Sequence, residues 1–189
     1  MNSDVSTLAE WITASPSTVF FGGAGVSTES GIPDFRGANG FYFQEREIPL
    51  ETVLSIDFFT QHPEAYWEWF HEIYRPVEPN GAHRALALLE GAGHLDAVIT
   101  QNIDGLHQRA GSRTVWELHG NWERLVCTQC GAVAALRDAV TVDGDPVPAC
   151  PSCGGQMRPD IVMYGESLDE AVIEAAVSAI ARASTLIVA

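Results

Sequence analysis

The chain has 189 residues, of which 46% are hydrophobic and 9% aromatic, so it can form one domain with at most a small inserted module. Ten basic residues, all of them arginine, stand against 25 acidic ones and give a formal net charge of −15. This charge repels phosphate and anionic lipid, which argues against nucleic-acid and membrane partners. It would attract basic peptides, or it serves only to keep the protein soluble. The N-terminus lacks the pattern of a signal peptide, and no apolar run is long enough to span a bilayer, so we expect a cytoplasmic protein.

Helical segments and short apolar strands alternate along most of the chain. The pattern predicts a short helix from Asp104 to Arg109 and longer ones over 4–14, 62–76, 80–93 and 167–182, with strands over 17–21, 95–100, 114–120 and 184–189. Asn80 is the expected N-cap of its helix, and Ser167 with Glu170 matches a capping box. The alternation predicts an α/β fold in which a parallel sheet carries helices on both faces.

A glycine-rich turn follows the first strand and has the sequence GGAGVSTESGIPDFR, residues 22–36. Backbone N–H groups around Gly23 and Gly25 suit a pyrophosphate, although a short Gly-x-Gly turn also occurs by chance. Thr28 occupies the place of the third glycine of a dehydrogenase fingerprint, and Gly31 with Pro33 ends any helix. A hydride-transferring dehydrogenase is therefore the least favoured of the nucleotide-binding alternatives.

Polar residues end the next two strands. Gln101, Asn102 and Asp104 follow the strand 95–100, where ligands of open α/β sheets bind, but they fit a locally capped loop equally well. His119 ends the strand 114–120, and Gly120 beside it permits close approach of another chain segment. A histidine at such a strand end is a candidate general base, because the pKa of imidazole lies near the working pH.

Four cysteines form two Cys-x2-Cys pairs, which are Cys127 with Cys130 and Cys150 with Cys153. Pairs at this spacing are typical of a closed, structural zinc ribbon with four thiolate ligands. Redox-active or incidental cysteines are the alternative. The change in composition around the pairs predicts an inserted zinc-ribbon module over residues 124–158.

Five motifs in a fixed order resemble the sirtuins, the NAD-dependent protein lysine deacylases, and particularly their bacterial and archaeal members. The motifs are GAGVSTESGIPDFR, TQNIDGLH, LHG, the two cysteine pairs and RPDIVMYGE, and they extend from near residue 17 to the end of the chain. The resemblance implies a large Rossmann-like domain over 1–35, 78–123 and 159–189. It also implies a small domain made of a helical module over 36–77 and the zinc ribbon. NAD and an acyl-lysine peptide would meet in the cleft between the two domains.

The resemblance also implies a role for individual residues. His119 would be the general base, and the substrate peptide would lie as an added strand along residues 162–166. The products would be free lysine, nicotinamide and O-acetyl-ADP-ribose. NAD would contact Gly23, Ala24, Gly25, Ser27, Asp34, Phe35, Arg36, Gln101, Asn102, Ile103 and Asp104, and the peptide would contact Val162, Met163, Tyr164, Gly165 and Glu166.

The helix 62–76 bears on which acyl group is removed. Relatives that prefer succinyl or malonyl groups carry a Tyr-x-x-Arg pair there, whereas the matching positions in this chain are Phe70 and Ile73. An apolar acyl pocket favours acetyl or another neutral group. NAD-dependent ADP-ribosyl transfer to protein and a non-catalytic zinc-ribbon binding module are the alternative functions.

The resemblance stops where full sirtuins continue past the strand 184–189 into the strands and loops that bind the adenosine half of NAD. We therefore expect the chain to be truncated at its C-terminus, with the last strands of the sheet missing. Such a chain is expected to bind NAD weakly and to leave a strand edge unpaired.

Overall fold

Two sheets organise the chain, and the computed structural model describes residues 3–35, 37, 40, 48–139 and 145–189. In chain order the strands are β1 (Thr18–Gly22), β2 (Ala97–Thr100), β3 (Val115–Glu117), β4 (Gly120–Cys127), β5 (Val133–Ala135), β6 (Met157–Ile161) and β7 (Thr185–Val188). The first sheet is parallel with the order β3-β2-β1-β7, and the second is antiparallel with the order β5-β4-β6. The predicted parallel sheet is confirmed.

Seven α-helices of the described residues flank the sheets. They are α1 (Ser3–Ala14), α2 (Leu50–Val53), α3 (Ile56–Gln61), α4 (Pro63–Ile73), α5 (Gly81–Gly91), α6 (Leu106–Ala110) and α7 (Glu170–Arg182). All but α2 and α3 overlap predicted helical segments. Two 3-10 helices, Ala24–Ser30 and Leu136–Asp138, complete the described elements. In the described part of the chain, no helix combines the length and the apolar character needed to cross a bilayer.

The parallel sheet is covered on both faces, as its strand sequences predict. Val19 packs with α7 residues on one face, whereas its neighbour Phe20 packs with Leu86 of α5 on the other. Alternate residues of a strand point to opposite faces, so an all-apolar strand such as β2 has a helix to bury it on each side. β7 pairs in register with β1, and its Leu186 and Val188 remain exposed at the sheet edge.

A second core lies under the antiparallel sheet. The aromatic helix α4 buries Tyr66, Trp67 and Phe70, and these pack with Trp122 of β4 and with the cysteine module. Edge-to-face ring contacts dominate this core, for example between Trp67 and Phe70 at 5.1 Å. The helical segment and the cysteine module therefore share one hydrophobic core.

Two local expectations are wrong. Asp169, and not Ser167, caps α7, because its carboxylate accepts from the N–H groups of Ala171 and Val172 and a full negative charge is favoured at a helix N-terminus. The strand predicted to run to residue 120 ends at Glu117, and β4 begins at Gly120. The chain turns there because Gly120 has a φ of 77°, and a Cβ at this position would lie 2.1 Å from the Asp160 carbonyl oxygen.

Candidate active site and metal centre

The glycine-rich turn after β1 winds into the 3-10 helix Ala24–Ser30, which Gly31 ends with a left-handed φ of 92°. This explains why the sequence lacks a dehydrogenase-type α-helix at this position. Gly23 and Gly25 face open space, since a Cβ at either position would meet no atom within 4 Å. Backbone at such a surface is accessible to a ligand, and an extended phosphate group could approach it closely.

Ser27 joins this turn to the polar residues that follow β2. Its buried hydroxyl donates to Asp104 Oδ2 at 2.6 Å and accepts from Asn102 Nδ2 at 3.1 Å. Asn102 Nδ2 also donates to the Gly23 carbonyl oxygen at 3.0 Å, and Asp104 Oδ1 accepts from the Leu106 N–H. Asp104 therefore caps the turn into α6 with one oxygen, as the capped-loop alternative predicts, and orients Ser27 with the other.

The His83 ring contacts the Ser27 hydroxyl, a role that its sequence position alone did not indicate. The Asn80 N–H donates to His83 Nδ1 at 3.3 Å, so the ring proton is on Nε2, which lies 3.5 Å from Ser27 Oγ. Burial lowers the pKa of His83; the Asp104 carboxylate opposes this shift and Arg84 adds to it. Asn80 at an N-cap with a histidine three residues later is a sequence signal for the contact between these two residues only. It is a capping box with imidazole in place of glutamate.

His107 packs against His83 with ring centroids 4.7 Å apart, and the two rings lie under the Ser27–Asp104 pair. Neither of its ring nitrogens has a hydrogen-bond partner within the described part of the chain, and the residue is 1% exposed. Burial and the neighbouring His83 lower the pKa of His107 to about 4, although Asp104 opposes the shift. The imidazole is therefore neutral at neutral pH.

This neutral imidazole predicts how stability depends on pH. The pKa of His107 is about 4 in the folded chain, against 6.5 for an ordinary imidazole, so the unfolded chain binds this proton first as the pH falls. The contribution is complete above pH 6.5 and is lost towards pH 4, with a total of about 3 kcal/mol. We expect His107→Phe to remove this part of the acid sensitivity in denaturant titrations from pH 7 to pH 4.

The exposed His94 provides the matched control, because His94→Phe is expected to leave the pH dependence of the wild type unchanged. The wild type, His107→Phe and His94→Phe share the same carboxylates. The test is therefore the difference between these proteins in how the free energy of unfolding changes with pH. A His107→Phe protein that loses stability with acid as steeply as the wild type would contradict the neutral, buried state of His107.

His119 lies in the turn between β3 and β4, and it contacts the loop after β2 that contains Asn102 and Asp104. Its Nδ1 is 2.8 Å from the Gln101 carbonyl oxygen, and because a carbonyl only accepts, Nδ1 carries the proton. The His119 carbonyl oxygen accepts from the Val162 N–H at 2.9 Å. The ring is half-buried, and Nε2 is left with its lone pair available to accept a proton.

Residues 162–166 form the turn beyond β6, and most of their backbone N–H groups already donate hydrogen bonds within the protein. The amides of Val162, Tyr164 and Glu166 donate to backbone carbonyls, and that of Met163 donates to Glu166 Oε2 at 2.9 Å. Met163 is buried, whereas Tyr164 is 48% exposed. An added strand would therefore use the remaining backbone groups around Gly165.

The Glu166 side chain binds Arg158 in a two-pronged ion pair with both contacts at 2.6 Å. Burial acts to raise the pKa of Glu166, but the hydrogen bonds from Arg158 and Met163 outweigh it and lower the pKa. The carboxylate is thus ionised and shapes the turn, so any contact of Glu166 with a peptide would come from its backbone.

The remaining predicted residues lie in different surroundings. Ile103 packs against the aromatic core, and Phe70 is 2% exposed within it, with its ring 5.7 Å from Tyr74. Asp34 Oδ1 accepts from the Gly37 N–H at 2.7 Å, and Phe35 is 41% exposed. Arg36 is outside the described residues. Ile73 is half-buried in the last turn of α4.

The four cysteines converge at one point, as their spacing predicts. Sγ of Cys127 lies 3.6 Å from that of Cys153, Sγ of Cys130 lies 3.7 Å from that of Cys150, and all four are within 4.8 Å of one another. A zinc ion with Zn–S bonds of about 2.3 Å needs sulfur separations of about 3.8 Å. The cysteines are therefore positioned to bind a zinc ion, and a set of four thiolates leaves no open position for catalysis.

Backbone amides prepare these sulfurs for a metal. The N–H groups of Cys130 and Gln129 point at the Cys127 sulfur and lower the pKa of its thiol to about 6. Amides at Ser152 and Gly155 contact the sulfurs of Cys150 and Cys153 in the same way. The Gly155 amide lowers the pKa of Cys153, but the neighbouring Cys130 and Cys127 sulfurs outweigh it and raise that pKa to about 12. The amide contacts favour thiolates, which are the form that binds zinc.

The fold and these residues define a class: a Rossmann-like domain with a candidate nucleotide site at the carboxyl ends of its strands, joined to a zinc-ribbon module. Comparison with known sequences identifies the family within this class. The sequence profile of the Sir2 family matches residues 23–189. An NAD-dependent protein deacetylase of Cutibacterium acnes is 49% identical over 185 residues, which cover 96% of this chain and 75% of the relative.

More distant relatives and solved structures agree. An NAD-dependent protein deacylase of Aeropyrum pernix is 45% identical over 175 residues, covering 90% of this chain and 68% of the relative. A structure of Sir2 with a p53 peptide and NAD⁺ is 42% identical with a TM-score of 0.83, covering 97% of this chain and 74% of that one. Sir2 bound to acetylated peptide has the same TM-score at 40% identity, with the same coverage. The chain belongs to the Sir2 family.

Proposed function

We propose that this protein is an NAD-dependent protein deacetylase, which transfers the acetyl group of acetyl-lysine to ADP-ribose and releases nicotinamide. One observation supports this most strongly: hydrogen bonds run without a break from Gly23 and Ser27 through Asn102, and Gln101 then joins the same loop to His119. Relatives at 45–49% identity are named NAD-dependent protein deacetylase or deacylase.

The residues fit NAD in both its charged and its sugar parts. The open glycine backbone at 23–25 suits the pyrophosphate, while Gln101 and Asn102 are at hand for ribose hydroxyls. Ile103 and Asp104 would line the nicotinamide pocket, and Asp34 and Phe35 of the turn would contact NAD beside it. Bound NAD supplies a glycosidic bond to nicotinamide that can be broken and a ribose that accepts the acyl group.

His119 is the proposed general base. The Gln101 carbonyl holds the proton on Nδ1, so that Nε2 is free to take a proton from a ribose hydroxyl. Gly120 lets β4 begin close to Asp160 and Ile161 and thereby brings the histidine beside the β6 end. The base is thus next to the turn 162–166, where the peptide is proposed to bind.

The proposed substrate is an acetylated lysine in a basic protein segment. The net charge of −15 attracts positively charged peptides and disfavours nucleic acid and anionic membranes. The peptide would lie across the cleft between the Rossmann-like part (1–35, 78–123, 159–189) and the small domain formed by 36–77 and 124–158. Phe70 and Ile73 favour a neutral acyl group, and the reduced cysteines suit a cytoplasmic protein.

Mass spectrometry of an acetyl-lysine peptide incubated with the zinc-loaded protein and millimolar NAD tests this function. We expect loss of the acetyl group, with equal amounts of nicotinamide and O-acetyl-ADP-ribose formed. Gain of an ADP-ribose unit by protein or peptide would indicate ADP-ribosyl transfer instead. An unchanged peptide at saturating NAD, in a protein whose zinc content and fold are intact, would contradict the proposal.

A succinylated version of the same peptide tests the acyl preference in parallel. The apolar Phe70 and Ile73 offer no partner for the extra carboxylate, so we expect much slower turnover of this peptide. Equal rates for the two peptides would refute the acyl-pocket prediction and leave the deacetylase assignment standing.

A further inference from the structure

The turn that carries His119 is closed by a side-chain bond between the residues on either side of it. Glu117 ends β3, Asn121 is the second residue of β4, and Asn121 Nδ2 donates to Glu117 Oε1 at 2.6 Å. Both residues lie largely out of solvent, with Asn121 6% exposed and the Glu117 side chain 11% exposed. A hydrogen bond to a carboxylate in such a place is stronger than one at the surface.

Glu117 receives donors from two further directions. Its Oε1 also accepts from Gln108 Nε2 of α6 at 2.7 Å, while Oε2 accepts from Arg124 Nη1 at 2.9 Å. Arg124 in turn donates through Nε to Asp160 Oδ2 of β6 at 2.9 Å. One buried carboxylate therefore ties the end of β3 to α6, β4 and β6.

The β4 strand is irregular at the point where it leaves the turn. Asn121 pairs with Asp160, but the next paired residue is Leu125 with Pro159, so three residues of β4 bulge out of the ladder. Asn121 Oδ1 holds the bulge by accepting from the Glu123 N–H at 2.8 Å. The Trp122 N–H reaches the Ile103 carbonyl oxygen at 2.9 Å, which fastens the bulge to the proposed nicotinamide segment. Bulges next to active sites commonly re-aim side chains.

Within the described residues His119 is held by two hydrogen bonds, and its neighbour Leu118 by a third, from its N–H to the Thr100 carbonyl oxygen at 3.0 Å. The two bonds of His119 are the Nδ1–H bond to Gln101 and the backbone bond from Val162, and the ring is half-buried. The direction in which Nε2 points is therefore set by the geometry of the turn from Glu117 to Asn121. A general base that is displaced by about 1 Å can lose a large part of its effect.

We propose that Glu117 and Asn121 are positioning residues that clamp the β3–β4 turn and hold His119 against the Gln101 carbonyl in the tautomer needed for catalysis. Arg124 anchors the clamp to β6. The consequence for catalysis rests on the proposed deacetylase function, whereas the consequence for the tautomer does not. Nitrogen NMR of the imidazole can therefore test the clamp separately from the enzymatic reaction.

Three variants separate the parts of the clamp. Asn121→Ala and Glu117→Ala each remove the bond across the turn. Glu117→Gln keeps an oxygen for Asn121 and Gln108 but turns an amide towards Arg124, so it loses the ion pair and the hydrogen bond from Arg124 while the bond across the turn remains. Glu174→Gln, which removes an exposed carboxylate from α7, is the matched control.

Two-bond ¹H–¹⁵N spectra of the histidines give the first readout, with the His119 signals identified by their absence in a His119→Asn protein. In the wild type and in Glu174→Gln, we expect Nδ1 protonated and Nε2 unprotonated. Asn121→Ala and Glu117→Ala are expected to give a mixture of tautomers, and Glu117→Gln to remain close to the wild type. A wild-type His119 spectrum in both alanine variants would overturn the proposal.

Kinetics give the second readout. We expect kcat to fall roughly tenfold to a hundredfold in the two alanine variants, with the KM for the peptide little changed. The thermal midpoint is expected to fall as well, because each substitution leaves buried hydrogen-bonding groups without a partner. The Glu117→Gln variant is expected to recover most of the loss in kcat, which a merely structural role would not predict. Unaltered kcat in both alanine variants would overturn the proposal, while a wild type that deacetylates nothing would refute the proposed function and leave the spectra to decide on the clamp.

Discussion

Replacing His119 with asparagine is expected to lower kcat for deacetylation by roughly a hundredfold to ten-thousandfold while the fold stays intact. The asparagine amide can still donate to the Gln101 carbonyl, which His119 Nδ1 contacts at 2.8 Å, but it has no basic nitrogen. The substitution therefore removes proton transfer and preserves the turn. Nicotinamide release at saturating NAD and peptide measures the effect, and circular dichroism checks the fold.

The exposed His94 again supplies a matched control, and we expect His94→Asn to retain wild-type kcat. Binding of the acetylated peptide is expected to survive in both variants, because neither substitution touches the turn 162–166. Wild-type turnover in the His119→Asn protein would show that the imidazole takes no part in proton transfer, and would remove His119 from the mechanism.

Replacing Cys127 with serine is expected to abolish zinc binding and to unfold the module that the four cysteines hold together. Cys127 and Cys150 are buried in the same core as Trp67, Phe70 and Trp122, so the damage spreads to the aromatic helix α4. Structural zinc contributes about 10–16 kcal/mol to the folding of small modules. This is as large as the whole stability of a typical domain.

Zinc content by mass spectrometry and the thermal midpoint measure this prediction. Val133→Ser, an exposed position on β5 of the same module, is expected to keep stoichiometric zinc and the wild-type midpoint. Treatment of the wild type with a strong chelator should reproduce the Cys127→Ser behaviour. A Cys127→Ser protein that melts like the wild type would contradict a stabilising role for the metal site.

The sequence predicted those features that depend on local pattern. All-apolar strands alternating with amphipathic helices required a parallel sheet covered on both faces, and the packing of Val19 and Phe20 confirms it. The spacing of the cysteine pairs predicted their convergence, because each Cys-x2-Cys turn directs two sulfurs to one point. The proximity of Asn102, Asp104 and Ser27 followed from the rule that the carboxyl ends of parallel strands meet at one edge.

Features that depend on contacts between distant segments could not be predicted. No local pattern indicates that His83 lies against Ser27, because that pair forms only when α5 packs against the 3-10 helix Ala24–Ser30. The same holds for His107 beside His83, which requires α5 and α6 to pack together. The bulge in β4 depends on Asn121 and on the carbonyl of Ile103 in another segment. Serine and aspartate are both good caps, so the local sequence did not discriminate between Ser167 and Asp169 at the start of α7.

A crystal structure of the zinc-loaded protein with an acetyl-lysine peptide and a non-cleavable carbocyclic NAD analogue tests the account most directly. We predict that the nicotinamide-side sugar lies between Asn102 and His119, with a hydroxyl within hydrogen-bond distance of Nε2, and that the acetyl-lysine enters beside Val162. A dinucleotide bound away from the glycine turn, or a His119 ring turned from the sugar, would contradict the proposed catalytic site.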